Sequence, residues 1–289
     1  MNEIEYCQDK AARSGSSFYY SFLFLPEKKR LAITALYAFC REVDDVVDDC
    51  SDTDIARQKL TWWKQEIHRT FHSQPLHPVG LALQASLAHF NLEERYFYEI
   101  IDGMLMDLEK NRYQDFEELS LYCHRVAGVV GLLAAEIFGY SNKQTLVYAE
   151  KLGLAFQLTN IIRDVKEDAE RNRIYLPRED LDRFGVDDKD ILNAGMTQEI
   201  RELLRFQVMR AESCYQEAMT LLPDEDRYPQ RTGLIMSEIY HALLNKISSR
   251  HFDVFSQPIK VPPLRKLWIA WRTSRREKQH HKSLIQHEP

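Results

Sequence analysis

The chain has 289 residues, 44% of them hydrophobic, which is enough for one extensive core at the upper size limit of a single domain. Its formal net charge of −6 disfavours a general nucleic-acid binder, because such a domain carries a basic surface. Only ten glycines and ten prolines interrupt long stretches rich in Leu, Ala, Glu, Lys and Arg, so the composition predicts an all-α protein.

Cysteine usage and the apolar runs indicate the compartment. Five scattered cysteines form no Cys-x-x-Cys pair, and the opening MNEIEYCQDK lacks the basic and apolar regions of a secretory signal. The longest apolar run, residues 126–135, is too short to cross a bilayer as a helix. We therefore expect a cytoplasmic protein that is soluble or peripheral to a membrane.

Helical periodicity, cap residues and breakers predict one helical domain, since no intervening segment is long enough to be a linker. The predicted helices span residues 26–50, 54–73, 78–90, 92–110, 116–139, 143–171, 187–193, 197–222 and 231–255. We predict a catalytic domain over residues 1–264 and a basic C-terminal tail over residues 265–289.

The tail has two interpretations. Its stretch RKLWIAWRTSRREKQHHK (265–282) carries seven Lys or Arg against one Glu, with Leu267, Trp268, Ile269 and Trp271 among them. A basic segment with aromatic residues can lie on an anionic membrane surface. Basic tails are also common as solvated, frayed termini, so both interpretations stay open.

Two polar stripes, more than a hundred residues apart, share one chemistry. Residues three and four apart lie on one face of a helix, and each stripe stands among apolar neighbours. The downstream stripe, around NIIRDVKED (160–168), consists of Gln157, Asn160, Asp164 and Asp168. The upstream stripe, in ALYAFCREVDDVVDD (35–49), consists of Tyr37, Arg41, Asp44 and Asp48. A single Asp-x-x-x-Asp is more often a solvated face, but two such stripes on amphipathic helices suggest a shared site.

If the two helices face each other across a cavity, four carboxylates meet there and a cation must offset their repulsion. Hard oxygen ligands favour Mg²⁺, with Mn²⁺ as a possible substitute, over zinc. Mg²⁺ shares its coordination sphere readily with phosphate oxygens, so the predicted ligand is a diphosphate. The arginines available for the remaining phosphate charge are Arg41, Arg163, Arg171 and Arg173.

Four segments make the chain resemble the head-to-head prenyl synthases, which include squalene, dehydrosqualene, phytoene and presqualene diphosphate synthases. The segments are SSFYYSFLFLP (16–26), ALYAFCREVDDVVDD (35–49), YCHRVAGVVG (122–131) and LAFQLTNIIRDVKEDAERNRIYLP (154–177). Within the family, SGSSFYYSFLFLP and the chain length look most like bacterial hopanoid-pathway presqualene diphosphate synthases. One departure is Ser14-Gly15, where some relatives carry His-Ser.

The resemblance implies a single-domain isoprenoid-synthase bundle around a central cavity, in which two prenyl diphosphates such as farnesyl diphosphate bind on a Mg²⁺ cluster. The expected metal ligands are Asp44, Asp48, Asn160, Asp164 and Asp168. The expected substrate-binding residues are Ser17, Phe18, Arg41, Val126, Gln157, Asn160, Arg171 and Arg173. The expected catalytic residues are Tyr37, Arg41, Tyr122, Arg163 and Tyr175.

The expected reaction is ionisation of one allylic diphosphate and attack by the C2–C3 double bond of the second substrate. It yields presqualene diphosphate, releases diphosphate and needs no NADPH. Alternatives within the fold are squalene, dehydrosqualene or phytoene synthesis. A di-iron bundle needs two Glu-x-x-His motifs, and the chain offers one, at Glu238 and His241. The non-enzyme alternative is a membrane-attached helical scaffold.

Two segments near the stripes have two interpretations each. The small residues Ala127, Gly128 and Gly131 either leave a tunnel for an isoprenoid chain or allow tight helix packing. RNRIYLPREDLDRFGVD (171–187) reads either as a loop that closes over the diphosphates or as an ordinary connection.

Overall fold

The structure is a computed structural model that describes residues 2–13, 17–50 and 52–286, apart from the side chains of Ser17 and Tyr19. The described residues form helices and no β-strand, so the all-α prediction is confirmed. The α-helices of these ranges are α1 Glu3–Arg13, α2 Ser17–Phe22, α3 Glu27–Asp49, α4 Thr53–His72, α5 Pro78–Leu87, α6 Glu94–Glu109, α7 Phe116–Cys123, α8 Val129–Phe138, α9 Gln144–Glu170, α10 Arg178–Phe184, α11 Asp188–Leu192, α12 Gln198–Leu221, α13 Arg231–Ser249 and α14 Pro263–Gln286.

Helix starts that carry a cap residue lie close to their predicted positions. The Asp52 side chain accepts hydrogen bonds from the backbone N–H groups of Asp54 and Ile55 at the start of α4. The sequence analysis missed α1, α2, α10 and α14. The first three are short, with 11, 6 and 7 residues, and α1 buries only Cys7 and Ala11, so few positions are available to establish a helical period.

The core consists of two hydrophobic clusters that meet around the long helices α3 and α9. One cluster surrounds α3, α4 and α6, and the other surrounds α9, α12 and α13. Phe18 and Val126 pack against both clusters. The carboxylate stripes of α3 and α9 lie on the faces of these helices that border the space between the clusters.

The predicted helix over residues 116–139 is interrupted by a π-helical turn, His124–Gly128, between α7 and α8. Small residues bring this region against α9: a Cβ added to Gly131 would lie 2.3 Å from the carbonyl oxygen of Ala149. Phe116–Phe138 is long and apolar enough to cross a membrane by length and composition, which the short run identified from sequence does not show. Half of its apolar window is buried, and it packs against α9, so this helix belongs to the core.

Residues 171–187 are not a simple loop, because they include α10 and are held at several points. The N–H of Ile174 donates to the carbonyl oxygen of Asn111 at 3.0 Å, and the N–H of Arg178 donates to that of Tyr113 at 2.8 Å. Ile174 and Leu176 are buried. Arg173 and Tyr175 line the carboxylate cavity from this segment. Closure of the segment over the diphosphates stays a prediction.

The C-terminal segment is a 24-residue helix, α14, rather than a frayed terminus. It packs against α13 and α2 and buries Ile269, Ala270, Thr273 and Glu277. The frayed interpretation is therefore wrong for the described residues, and the predicted domain boundary at residue 264 stays a prediction.

Candidate active site

The two stripes line the same cavity, of about 430 Å³, between α3, α6 and α9. The sequence expectation that the distant aspartate pairs share one interior chamber is therefore met by the geometry. Every expected metal ligand contributes to the lining. The charged and polar lining residues are Arg41, Asp44, Asp48, Asp107, Tyr122, Gln157, Asn160, Arg163, Asp164, Glu167, Asp168, Arg171, Arg173 and Tyr175.

Each of the four arginines predicted to bind phosphate is paired with an aspartate. Arg41 contacts Asp44 at 2.6 Å, and Arg163 holds Asp164 at 2.6 Å through Nε. The other two arginines bind the same carboxylate, Asp48: the Nη1 atoms of Arg173 and Arg171 lie 3.0 Å and 3.3 Å from it. A bound cation would release these guanidinium groups toward phosphate, since it would take over their charge-neutralising role.

Burial, reinforced by neighbouring carboxylates, raises the pKa values of Asp44 and Asp168. Burial, reinforced by Asp48, Asp45 and Asp107, raises the pKa of Asp44 to about 6, although Arg41 opposes the shift. Burial, then the charge of Asp164, raises the pKa of Asp168 to about 8. The raised pKa values mean that protons partly neutralise the site when no cation is bound. Four carboxylates and an amide oxygen are the hard oxygen ligands that Mg²⁺ prefers, so the residues fit Mg²⁺.

Asn160 lies where three cavities meet, since it lines the carboxylate cavity, an apolar cavity and a basic cavity. Its Oδ1 accepts a hydrogen bond of 3.1 Å from the Tyr240 hydroxyl, and its Nδ2 is 3.4 Å from Oε1 of Gln157. The carbonyl oxygen keeps a second lone pair, so Asn160 can still act as the oxygen ligand that the sequence predicts.

Tyrosine rings and one carboxylate form the wall opposite the metal ligands. Tyr122 and Tyr175 stack with ring centroids 5.1 Å apart, and Tyr113 stacks on Tyr175 at 5.7 Å. The Tyr122 hydroxyl donates to Oδ2 of Asp107 at 3.0 Å, and the Tyr175 hydroxyl donates to Oδ1 at 2.7 Å. Burial raises the pKa of Asp107 to about 6, although these hydrogen bonds oppose the shift.

Asp107 is a functional candidate that the sequence analysis missed. Its charge also raises the pKa values of Asp44 and Asp168, so it lies near both metal stripes. The sequence feature that could have revealed Asp107 is a single carboxylate within the apolar stretch GMLMDL of α6. Within this helix, Asp107 has no polar residue three or four positions away, so it forms no stripe.

Tyr37, which the family resemblance grouped with Tyr122 and Tyr175, lines the apolar and basic cavities and not the carboxylate cavity. Its ring lies 5.8 Å from that of Phe18 and 6.2 Å from that of Phe22. Phe18 lines the apolar and basic cavities, as expected of a substrate contact. The side chain of Ser17 and the Ser14-Gly15 pair lie outside the described residues.

The apolar cavity has a volume of about 190 Å³ and shares Cys40, Val126, Gln157 and Asn160 with the carboxylate cavity. Small residues leave this space, and the members of that wall are Ala127, Gly131, Ala134, Ala149 and Gly153. Ala127 and Gly131 line this cavity, Gly128 does not, and Gly131 also allows close packing against α9. The tight-packing interpretation is therefore confirmed at Gly131, and the tunnel for an isoprenoid chain stays a prediction.

The basic cavity, of about 470 Å³, lies across the Asn160–Asp164 edge from the aspartates. Its lining contains four cationic side chains, Arg41, Arg163, Lys260 and Lys266, against two carboxylates, Asp164 and Glu167, so its formal charge is positive. Burial, then the nearby Arg163 and Lys260, lowers the pKa of Lys266. Crowded cations of this kind suit a second anionic group. From the sequence, Lys266 belonged to the basic tail and Lys260 had no assigned role, because neither lies near an aspartate stripe in the chain.

A family model described as squalene/phytoene synthase matches residues 11–265. The chain belongs to this family. It is 37% identical over 282 residues to a phytoene synthase of Arthrospira platensis, covering 92% of this chain and 90% of the relative. It is also 37% identical over 285 residues to 15-cis-phytoene synthase of Synechocystis sp., covering 92% and 84%.

Solved structures of the family share the fold. A dehydrosqualene synthase in complex with ligand superposes with a TM-score of 0.85 at 30% identity, covering 96% of this chain and 97% of the other. The squalene synthase HpnC from Alicyclobacillus acidocaldarius gives a TM-score of 0.76 at 29% identity, covering 87% and 95%. The isoprenoid-synthase fold and head-to-head prenyl transfer are thereby confirmed. The narrower hopanoid-pathway assignment stays a prediction.

The residues of the di-iron alternative do not meet in the cavity. Glu238 pairs with Arg276 at 2.9 Å, and the His241 ring lies 4.5 Å from that of Tyr215. In the alternative of a membrane-attached helical scaffold, the aspartate pairs would be solvent-exposed residues without a role. The structure instead places them around an interior cavity.

Proposed function

We propose that this protein condenses two prenyl diphosphates head-to-head into a cyclopropylcarbinyl diphosphate of the presqualene type and releases one diphosphate. The observation that carries the proposal is a carboxylate cavity that opens directly into an apolar tunnel on one side and borders a basic cavity on the other. Charged head groups and apolar tails of two substrates thus have separate, adjoining places.

The aspartate stripes and Asn160 would hold Mg²⁺, which when bound neutralises the carboxylates and the diphosphate oxygens. Arg171 and Arg173 are positioned to bind the leaving diphosphate as its charge develops. Tyr122 and Tyr175 line the cavity, and the electron-rich aromatic rings would stabilise an allylic cation that forms beside them. The apolar wall excludes water that would quench that cation.

A base must remove the proton that is lost as the cyclopropane closes. Asp107 accepts hydrogen bonds from both tyrosine hydroxyls, so either hydroxyl can pass a proton to its carboxylate. The released diphosphate is the other acceptor in the cavity. The bond between C1 of the first substrate and the diphosphate oxygen breaks, and its electron pair leaves with the diphosphate.

The sequence favours farnesyl diphosphate as substrate and presqualene diphosphate as the final product. A second candidate is full conversion of longer substrates to phytoene, and the phytoene synthases among the relatives favour it. The two candidates share the first half-reaction and differ in chain length and in a second ionisation.

Incubation with farnesyl or geranylgeranyl diphosphate and Mg²⁺, with and without NADPH, followed by mass spectrometry, tests the proposal. A cyclopropylcarbinyl diphosphate as end product supports the first candidate, and phytoene from the longer substrate without NADPH supports the second. Hydrocarbon that appears only with NADPH would defeat presqualene diphosphate as the final product.

Matched asparagine variants test the site itself. Asp44→Asn and Asp164→Asn should each lower diphosphate release more than a hundredfold, because each removes a metal ligand. Asp49→Asn is the control, since Asp49 lies in the same acidic run but is exposed and does not line the cavity. Wild-type turnover in both cavity variants would contradict the proposal.

A further inference from the structure

Helix α14 has two opposite faces. Ile269, Ala270, Thr273 and Glu277 are buried against the body of the protein. The opposite face exposes large apolar side chains at steps of three and four residues. They are Leu264 (81% exposed), Leu267 (38%), Trp268 (53%) and Trp271 (51%). Among the described residues, these form a compact apolar face on a helix that is otherwise strongly polar.

The orientation of α14 is fixed by contacts along its length. The Arg227 guanidinium binds the buried Glu277 carboxylate through two hydrogen bonds of 3.0 Å and 3.2 Å. Arg276 links Glu277 to Glu238 on α13, with distances of 2.9 Å to each. Because these pairs hold the buried face down, the tryptophan face must point to the exterior.

The exposed face continues toward the C-terminus as a basic row. Arg275, Lys278 and Lys282 follow Trp271 at steps of four, three and four, and all three are exposed. Arg272 and Arg275 lie over the rings of Trp268 and Trp271, at 5.2 Å and 5.6 Å from their centroids. The chain as a whole carries −6, so this row stands out from the net charge.

We propose that this face of α14 docks the protein on an anionic phospholipid bilayer, with the helix parallel to the membrane plane. Tryptophan and leucine beside arginine and lysine match the chemistry of the headgroup layer, where apolar rings and phosphates are both available. The chain as a whole is acidic and is repelled by the same surface, so the basic and aromatic face of α14 favours one orientation of approach. The inference rests on the exposed face alone and holds whatever product the cavity makes.

Docking would also fix the position of the basic cavity relative to the lipid. Lys266, on the first turn of α14, lines this cavity, and its Nζ lies 5.3 Å from the ring centroid of Tyr20 on α2. At 100° per residue, Lys266 lies on the same side of the helix as Ile269, Ala270 and Thr273. The basic cavity is therefore on the side of α14 opposite the tryptophan face, at the N-terminal end of the helix.

Vesicle co-sedimentation tests the proposal without any measurement of catalysis. Vesicles of phosphatidylcholine with 30 mol% phosphatidylglycerol should bind the full chain, whereas pure phosphatidylcholine should bind it more than tenfold less. Trp268→Ser/Trp271→Ser should reduce binding more than tenfold, and Trp62→Ser, which alters a 36% exposed tryptophan on α4, should not. Brominated phosphatidylcholine should quench the tryptophan fluorescence of the wild type and not that of the double variant.

Charge variants isolate the electrostatic part. Arg275→Glu/Lys278→Glu should abolish the preference for anionic lipid, while Lys59→Glu/Lys189→Glu, with the same change in net charge on exposed residues elsewhere, should keep it. Melting temperatures of all variants confirm folding. Equal vesicle binding by the tryptophan variant and the wild type would overturn the proposal, as would absence of vesicle binding by the wild type. If the wild type binds no vesicles and forms a dimer that the tryptophan variant loses, the face serves self-association instead. Diphosphate release from detergent-solubilised substrate, measured separately, reports on the proposed reaction and not on docking.

Discussion

Replacing Asp107 with Asn tests whether this carboxylate serves the reaction or the fold. The carboxylate accepts hydrogen bonds from Tyr122 and Tyr175, and Asn offers only one oxygen and a donor amide in the same volume. One hydroxyl must therefore lose its acceptor. A hydrogen bond to a charged group contributes about 1.5–3 kcal/mol, so kcat should fall about tenfold to a hundredfold if both hydroxyls act in the transition state.

The thermal stability of the Asp107→Asn variant should not fall together with its kcat, and at high pH it should rise. The pKa of Asp107 is raised from 3.8 to about 6, so ionisation of the carboxyl costs the folded state about 3 kcal/mol. The stability that its proton provides is fully present below pH 4 and is lost as the pH rises through about 6. The variant carries no such charge, so at pH 8 it should melt at the wild-type temperature or several degrees above it. The difference should narrow toward pH 5.

Steady-state diphosphate release and thermal melting at pH 5 and pH 8 check both halves. Asp102→Asn is the matched control on α6, since Asp102 forms a half-exposed ion pair with Lys64 at 2.6 Å and should tolerate the change within twofold in kcat. The Asp107→Asn/Tyr175→Phe double variant should lose little more activity than the worse single variant. Unchanged kcat in Asp107→Asn would refute the role in the reaction, and a large drop in melting temperature at pH 8 would show a structural one.

Three further measurements follow from the cavities. Burial raises the pKa of Asp168 to about 8, so the stability that its proton gives the metal-free fold is fully present below pH 4 and is lost as the pH rises through 8. Mg²⁺ should therefore raise the melting temperature more at pH 8 than at pH 6. Equal increases in melting temperature at the two pH values would contradict this. Gly131→Ala should destabilise the fold by about 1–3 kcal/mol in denaturant titration, because its Cβ would meet the Ala149 carbonyl oxygen at 2.3 Å, whereas Gly195→Ala, with no atom within 4 Å, should stay within about 0.5 kcal/mol. Ala134→Phe should fill the apolar cavity and raise KM for prenyl diphosphates about tenfold. Binding of inorganic diphosphate, measured by calorimetry, should be unchanged. Weaker diphosphate binding would show that the apolar cavity and the carboxylate cavity are not independent.

Periodicity within single helices determined the parts of the site that the sequence revealed. Asp44 and Asp48 repeat on α3, and Asp164 and Asp168 repeat on α9, so each pair shares a face before any tertiary contact is known. The same signal located α3, α4, α6, α9, α12 and α13, but not the 24-residue α14, which is strongly polar on average. Short helices such as α1 and α10 escaped it, because each has few buried positions from which a period can be recognised.

Only the tertiary structure decided which solitary residues belong to the site. Asp107 and Lys266 have no polar partner at three- or four-residue spacing within their helices, α6 and α14. Tyr37 has such a partner in Arg41 but lines other cavities than Tyr122 and Tyr175. Their roles depend on how helices distant in sequence pack around a shared cavity. A local sequence pattern determines the face of a helix on which a side chain lies. Helix packing determines which other side chains that face contacts, and the chemistry of this site depends on those contacts.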